Sequence, residues 1–349
     1  MGARSIFQHI SSCIAIFSNT LLVFLIIKKS PKTLGSYKIL MIFISIFEIL
    51  YAVLDALTVP KMFGHGSGAF VFVLAKDAFL PDWALLPANY LYCTFFGTSM
   101  ALFAIHFIYR YLAITGSNYI KSHNRKVITS LMLFPIIFGF CWYLLVSYTL
   151  GPFEEGDVFV RKYYLVDHDI PLSEISYVAY YFYVEDAVGN QRINWKCVIG
   201  CSIHTMFIYV SFGIIFYFGY QCYCHTKSVS THSITSKSTT DLQKQLFYAL
   251  VFQTVIPVFL MHLPSSTGIM VTFFNFSFEI YSNTLACTIS LYPALDPLPN
   301  FFIIKSYREA IHDFFKKLLR MVLCKRNVTI TTIHVKSANI STVSKSLMA

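Results

Sequence analysis

Charged residues are scarce in this sequence. Only 13% of its 349 residues are Asp, Glu, Lys or Arg, about half of the usual share, while 56% are hydrophobic and the mean hydropathy is +0.60. A soluble protein cannot cover its surface with so few charges. The composition therefore excludes a cytosolic enzyme, a disordered regulator and a secreted soluble domain, and it indicates an integral membrane protein.

The sequence also lacks the motifs of metal sites and enzymes. Its nine cysteines are too sparse for a disulfide framework, and no pair has metal-ligand spacing with His partners. It contains no His-x-x-x-His pair and no Gly-x-Ser-x-Gly, and the glycines of residues 64–68 are expected to form a flexible outer loop. We therefore predict no catalytic residues, no cofactor and no enzyme activity.

Long apolar runs account for most of the chain. A helix needs about 20 apolar residues to cross the hydrocarbon core of a bilayer. The predicted fold is an all-α membrane protein, a bundle of seven transmembrane helices within a receptor domain of residues 1–320, followed by a flexible cytoplasmic tail, 321–349. The seven spans lie near 10–27, 39–59, 88–114, 127–150, 197–220, 246–263 and 284–304.

The basic residues set the predicted orientation. With the N-terminus outside, 20 of the 27 Lys and Arg residues are cytoplasmic, as the positive-inside rule requires. The net charge of +10 is thus an orientation signal and predicts no nucleic-acid partner. In this orientation Asn275 begins an outer glycosylation sequon, whereas the sequons at Asn327 and Asn339 are cytoplasmic. The long outer loop, 151–194, is either a lid over the bundle or a solvated loop.

Three polar residues that are costly to bury in lipid lie at the same depth in the membrane. Asn19, Glu48 and Asp296 each lie nine or ten residues from the Lys that ends their span, which is roughly 13–15 Å from the cytoplasmic face. Because an ionised acid in lipid is expensive, we expect the three to form one buried network. The two acids would share a proton or hold Na⁺. The alternative is a packing network with no switching role.

Arg110 ends the third span, with His106 one turn earlier on the same face. The Arg110 side chain either snorkels to the lipid headgroups or reaches the cytoplasmic opening of the bundle. His106 is assigned to the polar switch network, and the alternative for it is a hydrogen-bonded packing residue.

Several segments together resemble a known family. The chain is similar to the nematode seven-helix chemoreceptors of serpentine receptor class r, the str type, which include an odorant receptor for diacetyl. The segments that carry the likeness are SPKTLGSYK at 30–38, 47–55, 96–100, HFIYRY at 106–111, 217–219, 242–246, QTVIP at 253–257 and LYPALDPLP at 291–299.

The resemblance implies a G-protein-coupled receptor in the plasma membrane of sensory cilia, with an odorant or pheromone as ligand. Its partners would be a heterotrimeric G protein, contacted through Arg110 and Tyr111, and membrane lipids. The sequence departs from rhodopsin-type receptors at Tyr109, which replaces the acid before the Arg, so an ionic lock is not expected there. The outer loop has no Cys to pair with Cys93, which leaves Cys197 as a conceivable partner.

We expect the ligand to bind among the third, fifth, sixth and seventh helices. Tyr92, Phe96 and Ser99 lie on one helix face. A packing stripe is the alternative interpretation for each such residue. The rival function is a ligand-gated channel or transporter, but the sequence shows neither an internal repeat nor a charged pore lining. The full predicted ligand-binding set is Tyr92, Phe95, Phe96, Ser99, His204, Phe259 and His262.

Overall fold

A computed structural model describes residues 2–165, 170–185, 190–232, 237–276, 279–317 and 320. The chain is mostly helical, with two small antiparallel sheets. The helices are α1 (Ala3–Lys29), α2 (Tyr37–Thr58), α3 (Asp82–Ile114), α4 (Asn118–Thr149), α5 (Glu154–Val160), α6 (Trp195–His232), α7 (Lys237–Pro257), α8 (Leu263–Phe273), α9 (Glu279–Leu295) and α10 (Leu298–Ile303). The strands are β1 (Lys61–His65), β2 (Gly68–Leu74), β3 (Ile175–Tyr181), β4 (Tyr183–Glu185) and β5 (Gln191–Ile193).

The apolar runs fold as the hydropathy predicts. Among the described residues, six helices are long and apolar enough to cross a membrane; the sixth joins α7 and α8 through a π-helical turn, Val258–His262. The seventh span consists of α9 and α10. Each predicted span lies within its helix or helices, apart from at most one residue at one end, and most of the helices extend beyond the predicted ends. The predicted tail, 321–349, lies outside the described residues, so the boundary at 320 remains a prediction.

The seventh span is interrupted at Pro297, between α9 and α10. Because Pro297 has no N–H, the carbonyl group of Pro293 loses its usual helical partner. The side chain of Asn19 replaces that partner, since its Nδ2 donates to the Pro293 oxygen at 2.9 Å. In a membrane such a freed carbonyl has to be satisfied from within the protein. The hydrogen bond from Asn19 at this break therefore holds α1 against the seventh span.

Helix α3 is the centre of the bundle. In its most apolar window 72% of the residues are buried, against 28% in α4 and 22% in α6. Helices α4 and α6 consequently present most of their apolar side chains to lipid, whereas α3 packs against helices on several sides. Residues on α3 are thus the best placed to link different parts of the bundle.

A three-stranded sheet with the order β1-β2-β3 covers one end of the bundle, which we call the sheet end. Strand β2 pairs along its whole length with β3, from Gly68 opposite Tyr181 to Leu74 opposite Ile175. Helix α5 packs on it over a core of aromatic side chains. The buried aromatics of that core are Phe70, Phe72, Phe159, Tyr164, Tyr177 and Tyr181.

The sheet adds strands to the predicted helical bundle and corrects one expectation from the sequence. Residues 64–68 form a tight β-hairpin instead of a flexible loop. Gly66 has a φ of +50°, a conformation that favours glycine in a turn. A Cβ at Gly68 would lie 2.7 Å from the ring of Phe70. Glycine is needed here for packing, so the glycine-rich composition did not indicate flexibility.

Backbone and side-chain hydrogen bonds attach the sheet to the helices. The Ala179 N–H donates to the Leu150 carbonyl at 2.9 Å, and Asn89 Nδ2 donates to the Val71 carbonyl at 2.9 Å. Part of the 151–194 segment therefore folds over the bundle, which matches the lid alternative and not the solvated loop. Within this layer, burial and a hydrogen bond to Asp157 raise the pKa of Tyr177 well above its usual value.

Candidate functional site

A cavity of about 200 Å³ lies between the sheet and the helices, enough for about seven water molecules. Its walls come from all three strands of the sheet, β1, β2 and β3, and from α3, α4, α8 and α9. The residues that line it include no Lys, Arg, Asp, Glu or His, and its few polar groups are mostly hydroxyls such as those of Ser265 and Thr272. A site of this size and lining suits a small, uncharged and mostly apolar molecule.

Two of the predicted ligand contacts line this cavity, namely Tyr92 and Phe96 of α3. Two more lie directly behind Phe96. The ring of His262 is 4.6 Å from that of Phe96, and Ser99 Oγ is 3.2 Å from His262 Nε2. His262 Nδ1 is buried without a hydrogen-bond partner. The structure thus brings Tyr92, Phe96, Ser99 and His262 together at one end of the cavity.

The other predicted contacts lie elsewhere. Phe95 packs against Phe47, with ring centroids 4.9 Å apart, so it is a packing residue between α2 and α3. The ring of His204 contacts that of Trp142, with centroids 4.6 Å apart and the planes tilted by 50°. His204 does not itself line the cavity, whereas Trp142 does. Phe259 is 62% exposed on the outside of the bundle. It is not among the residues that line the cavity, and its assignment as a ligand contact is corrected.

Trp142 is a cavity residue that the sequence analysis missed. Its indole ring lies against Gly97 of α3, where a Cβ would come within 2.3 Å of the ring. The close approach requires glycine at position 97. A glycine in the middle of a buried helix was the signal available in the sequence, although it does not identify the partner.

The central polar cluster consists of Asn19, Glu48, Gln253, Tyr292 and Asp296, all buried. Gln253 Nε2 donates to Asp296 Oδ2 at 2.6 Å, and the Tyr292 hydroxyl donates to Glu48 Oε1 at 3.3 Å. The carboxyl groups of Glu48 and Asp296 interact directly, and Asn19 lies beside Glu48. The three residues that the sequence placed at one depth therefore meet, joined by Gln253 and Tyr292.

His106 belongs to a different group. Its Nδ1 lies 3.2 Å from the Tyr37 hydroxyl, and the guanidinium of Arg110 lies 5.2 Å from the centre of the Tyr37 ring. The assignment of His106 to the switch network is therefore corrected, because its contacts place it beside Tyr37 and Arg110 at the opposite end of α3, which we call the Arg110 end.

Arg110 is 2% exposed, so it does not snorkel. Its Nη2 donates to the backbone carbonyl of Gln243 in α7 at 2.8 Å. The contact joins α3 to α7 without any acidic partner, in keeping with the Tyr at position 109. The neighbouring Tyr111 packs on Phe218 of α6, with ring centroids 5.3 Å apart.

The remaining sequence predictions concern cysteines, metal and sugar. Cys93 and Cys197 are both free thiols. No group of three or more His, Cys, Asp or Glu side chains suited to a metal ion occurs in the described part of the chain. Asn275 follows α8 with a φ of +61°, but Ser277 of its sequon lies outside the described residues, as do Asn327 and Asn339.

Comparison of structures defines the class of fold. The chain matches squid rhodopsin with a TM-score of 0.55 at 12% sequence identity, over 90% of this chain and 80% of that one. At this identity the likeness shows the fold alone. The protein is thus a mostly helical membrane protein with a rhodopsin-like seven-helix bundle.

Sequence comparison identifies the family. The model of the serpentine type 7TM GPCR chemoreceptor Str family matches residues 4–312. "G-protein coupled receptor str-217" of Caenorhabditis elegans is 33% identical, over 88% of each chain. "Serpentine receptor class r-10" of Caenorhabditis briggsae is 34% identical, over 85% of this chain and 86% of its own length. The chain belongs to the Str family of seven-transmembrane G-protein-coupled chemoreceptors and is not an enzyme.

Proposed function

We propose that this chemoreceptor detects a small odorant or pheromone in the cavity under the sheet and activates a heterotrimeric G protein. The observation that carries the proposal is the apolar, uncharged cavity beside Tyr92 and Phe96. A ligand that fits about 200 Å³ has few atoms, and binding energy is limited to about 1.5 kcal/mol per heavy atom for the smallest ligands. Micromolar or weaker affinity is therefore expected.

The proposed orientation puts the sheet end outside the cell and the Arg110 end in the cytoplasm. The 20 to 7 distribution of Lys and Arg supports it. The sheet then faces incoming ligand, and Arg110 and Tyr111 face the G protein. The proposed location is the plasma membrane of a sensory cilium, where the basic segments would contact anionic lipid headgroups.

The central polar cluster is the proposed switch. It joins α1, α2, α7 and the broken seventh span, and Glu48 and Asp296 share one proton or hold Na⁺. Two arrangements of this cluster would correspond to two packings of the bundle, and a ligand selects the packing that it binds better. The break at Pro297 allows the seventh span to bend between them.

The contact between Arg110 and the Gln243 carbonyl is the proposed closed state of the coupling site. Opening the Arg110 end separates α3 from α7 and frees the guanidinium for the G protein. A backbone carbonyl replaces the acid of an ionic lock, so the closed state does not depend on the protonation of a side-chain partner.

The test uses cells that express the full chain, with a calcium readout and a panel of volatile and pheromone compounds. Ser265 lines the cavity, so Ser265→Phe places a bulky ring in the space for the ligand. Ser202→Phe places the same side chain on the exposed side of α6. We expect the first to abolish the response to an active compound and the second to preserve it, at equal surface expression. Equal responses from both variants would contradict the site. Ligand-evoked current in a pure lipid bilayer without G protein would favour a channel or transporter.

A further inference from the structure

The hydrogen bonds of Ser99 determine which nitrogen of His262 carries a proton. The Ser99 hydroxyl donates to the backbone carbonyl of Phe96 at 2.8 Å. A serine hydroxyl has a single proton, so it can only accept at its second contact, which is His262 Nε2 at 3.2 Å. His262 Nε2 must therefore carry a proton and donate it to Ser99.

The surroundings of His262 keep its ring neutral. The residue is 2% exposed, and its ring lies against those of Phe96 and Phe212, with centroids 4.6 and 6.2 Å away. Among the described residues no acid acts on it, and a buried charge without a partner is costly. In a neutral ring whose Nε2 is protonated, Nδ1 holds a lone pair and is an acceptor.

The Nδ1 acceptor of His262 is left without a donor at one end of the cavity. It is buried and has no hydrogen-bond partner among the described residues. Buried polar atoms are rarely left unpaired, so each one calls for a bound species or another explanation. Phe96 lines the cavity, and so does Ser265, one turn after His262 on the same helix face. The unpaired acceptor is therefore placed to meet a molecule that occupies the cavity.

Two hydroxyls of the cavity wall have the same character. Thr267 Oγ1 and Thr272 Oγ1 each donate to a backbone carbonyl four residues earlier, both at 2.9 Å. Towards a ligand these two oxygens can only accept. The other hydroxyls of the lining can donate or accept, so they do not discriminate between ligands. The polar groups whose role is fixed by their own hydrogen bonds are thus acceptors.

We propose that the receptor selects ligands that carry a hydroxyl or N–H group, which donates to His262 Nδ1, over ketones and aldehydes of the same skeleton. The inference rests on the proposed function, because it concerns the ligand of the same cavity. The donor reaches Nδ1 when the ring of Phe96 turns aside. Since Nδ1 is already removed from water, the ligand gains this hydrogen bond without the usual cost of dehydrating the acceptor.

The first test observes the protons of His262 directly and needs no ligand. ¹⁵N NMR spectra of the purified full-length chain with labelled histidine are recorded in lipid nanodiscs, and His262→Phe identifies the two signals. If that variant does not fold, Ser99→Ala removes the acceptor of Nε2 and should shift the same signals. We expect a protonated Nε2 and an unprotonated Nδ1. A proton on Nδ1 would overturn the inference and leave the proposed function standing.

The second test compares ligands that differ in the donor. The pairs are cyclopentanol with cyclopentanone, cyclohexanol with cyclohexanone, and benzyl alcohol with benzaldehyde, and the readout is the rise in Tm of the nanodisc sample. We expect each alcohol to act at a concentration lower than that of its partner by about tenfold or more. His262→Phe keeps a ring against Phe96 without the acceptor and should abolish this difference. His204→Phe, the matched change beside Trp142 of the cavity wall, should retain it.

The outcomes separate this inference from the proposed function. Equal potency within the pairs, or a preference for alcohols that His262→Phe leaves unchanged, would overturn the inference. In both cases the compounds still bind and Ser265→Phe still removes binding, so the proposed cavity stands. If no compound raises Tm, or if Ser265→Phe leaves every shift unchanged, the cavity itself is contradicted and the inference falls with it.

Discussion

The bond between Asn19 and the Pro293 carbonyl gives a prediction whose size follows from the structure. Asn19→Ala removes the Nδ2 donor that satisfies this carbonyl at 2.9 Å. The same Nδ2 also lies 3.1 Å from the Ala15 carbonyl, but that oxygen lies in the interior of α1 and keeps its helical partner. The loss is therefore one orphaned acceptor, the Pro293 oxygen.

The expected cost of Asn19→Ala is about 1–2 kcal/mol. Hydrogen bonds between membrane helices average about 0.6 kcal/mol in double-mutant cycles, whereas an orphaned buried acceptor costs about 1–3 kcal/mol. The expected cost is above that average and in the lower part of the range for an orphaned acceptor. The carbonyl is fully inside the bundle, where Asn19 is 0% exposed and water is not available as a substitute.

A double-mutant cycle with Pro297→Ala isolates this bond. Alanine restores the N–H at position 297, which can then bond the Pro293 carbonyl within the helix. Asn19→Ala should therefore cost at least about 1 kcal/mol less in the Pro297→Ala background than in the unmodified chain. The free energy of unfolding is measured in detergent micelles by denaturant titration. Equal costs in the two backgrounds would refute the proposed role of Asn19.

Three further predictions concern other parts of the molecule. Arg110→Ala should abolish ligand-evoked G-protein signalling while leaving surface expression intact. Normal signalling from this variant would contradict the proposed role of Arg110 in G-protein coupling. Gly97→Ala should destabilise the chain by about 1–3 kcal/mol in a thermal or denaturant assay, because its Cβ would lie 2.3 Å from Trp142, whereas Gly213→Ala, with open space around it, should not. Burial, and next the bond to Asp157, raise the pKa of Tyr177 in the folded state, so its contribution to sheet stability is complete below the unfolded pKa of about 10 and is lost as the pH rises through the folded value. Tyr177→Phe should flatten the loss of stability at alkaline pH. A pH profile of stability that is unchanged in this variant would contradict this role of Tyr177.

The helical part of the fold was predictable because lipid imposes a simple rule. A run of about 20 apolar residues has few structural alternatives to a transmembrane helix. The sheet was not predictable in the same way. Strand β2 is a seven-residue apolar run, and its partner β3 lies about 100 residues further along the chain. A short apolar run does not distinguish a strand from a buried helical turn.

The central polar cluster was predictable from the cost of burying acids, but its completion was not. Asn19, Glu48 and Asp296 share one depth, which the rise per residue gives directly. Gln253 and Tyr292 are single polar residues in apolar spans, and nothing in the sequence shows which way they face. His106 was assigned to the wrong group because depth along a helix does not determine which neighbour a side chain meets.

Phe259 shows a further limit of periodicity. In a regular helix it would lie close to the face of His262, which is buried. The π-helical turn of Val258–His262, directly after Pro257, widens the helix there and carries Phe259 to the outside. Trp142 was missed for a related reason, because its position depends on the absence of a side chain at Gly97 on another helix.

The central claim is that ligand binds beneath the sheet, against Tyr92 and Phe96. An electron cryomicroscopy structure of the full chain with an activating compound tests it most directly. The account predicts ligand density between β2, β3 and α3, in contact with both side chains. Density on the outer surface of the bundle, with this cavity empty, would contradict it.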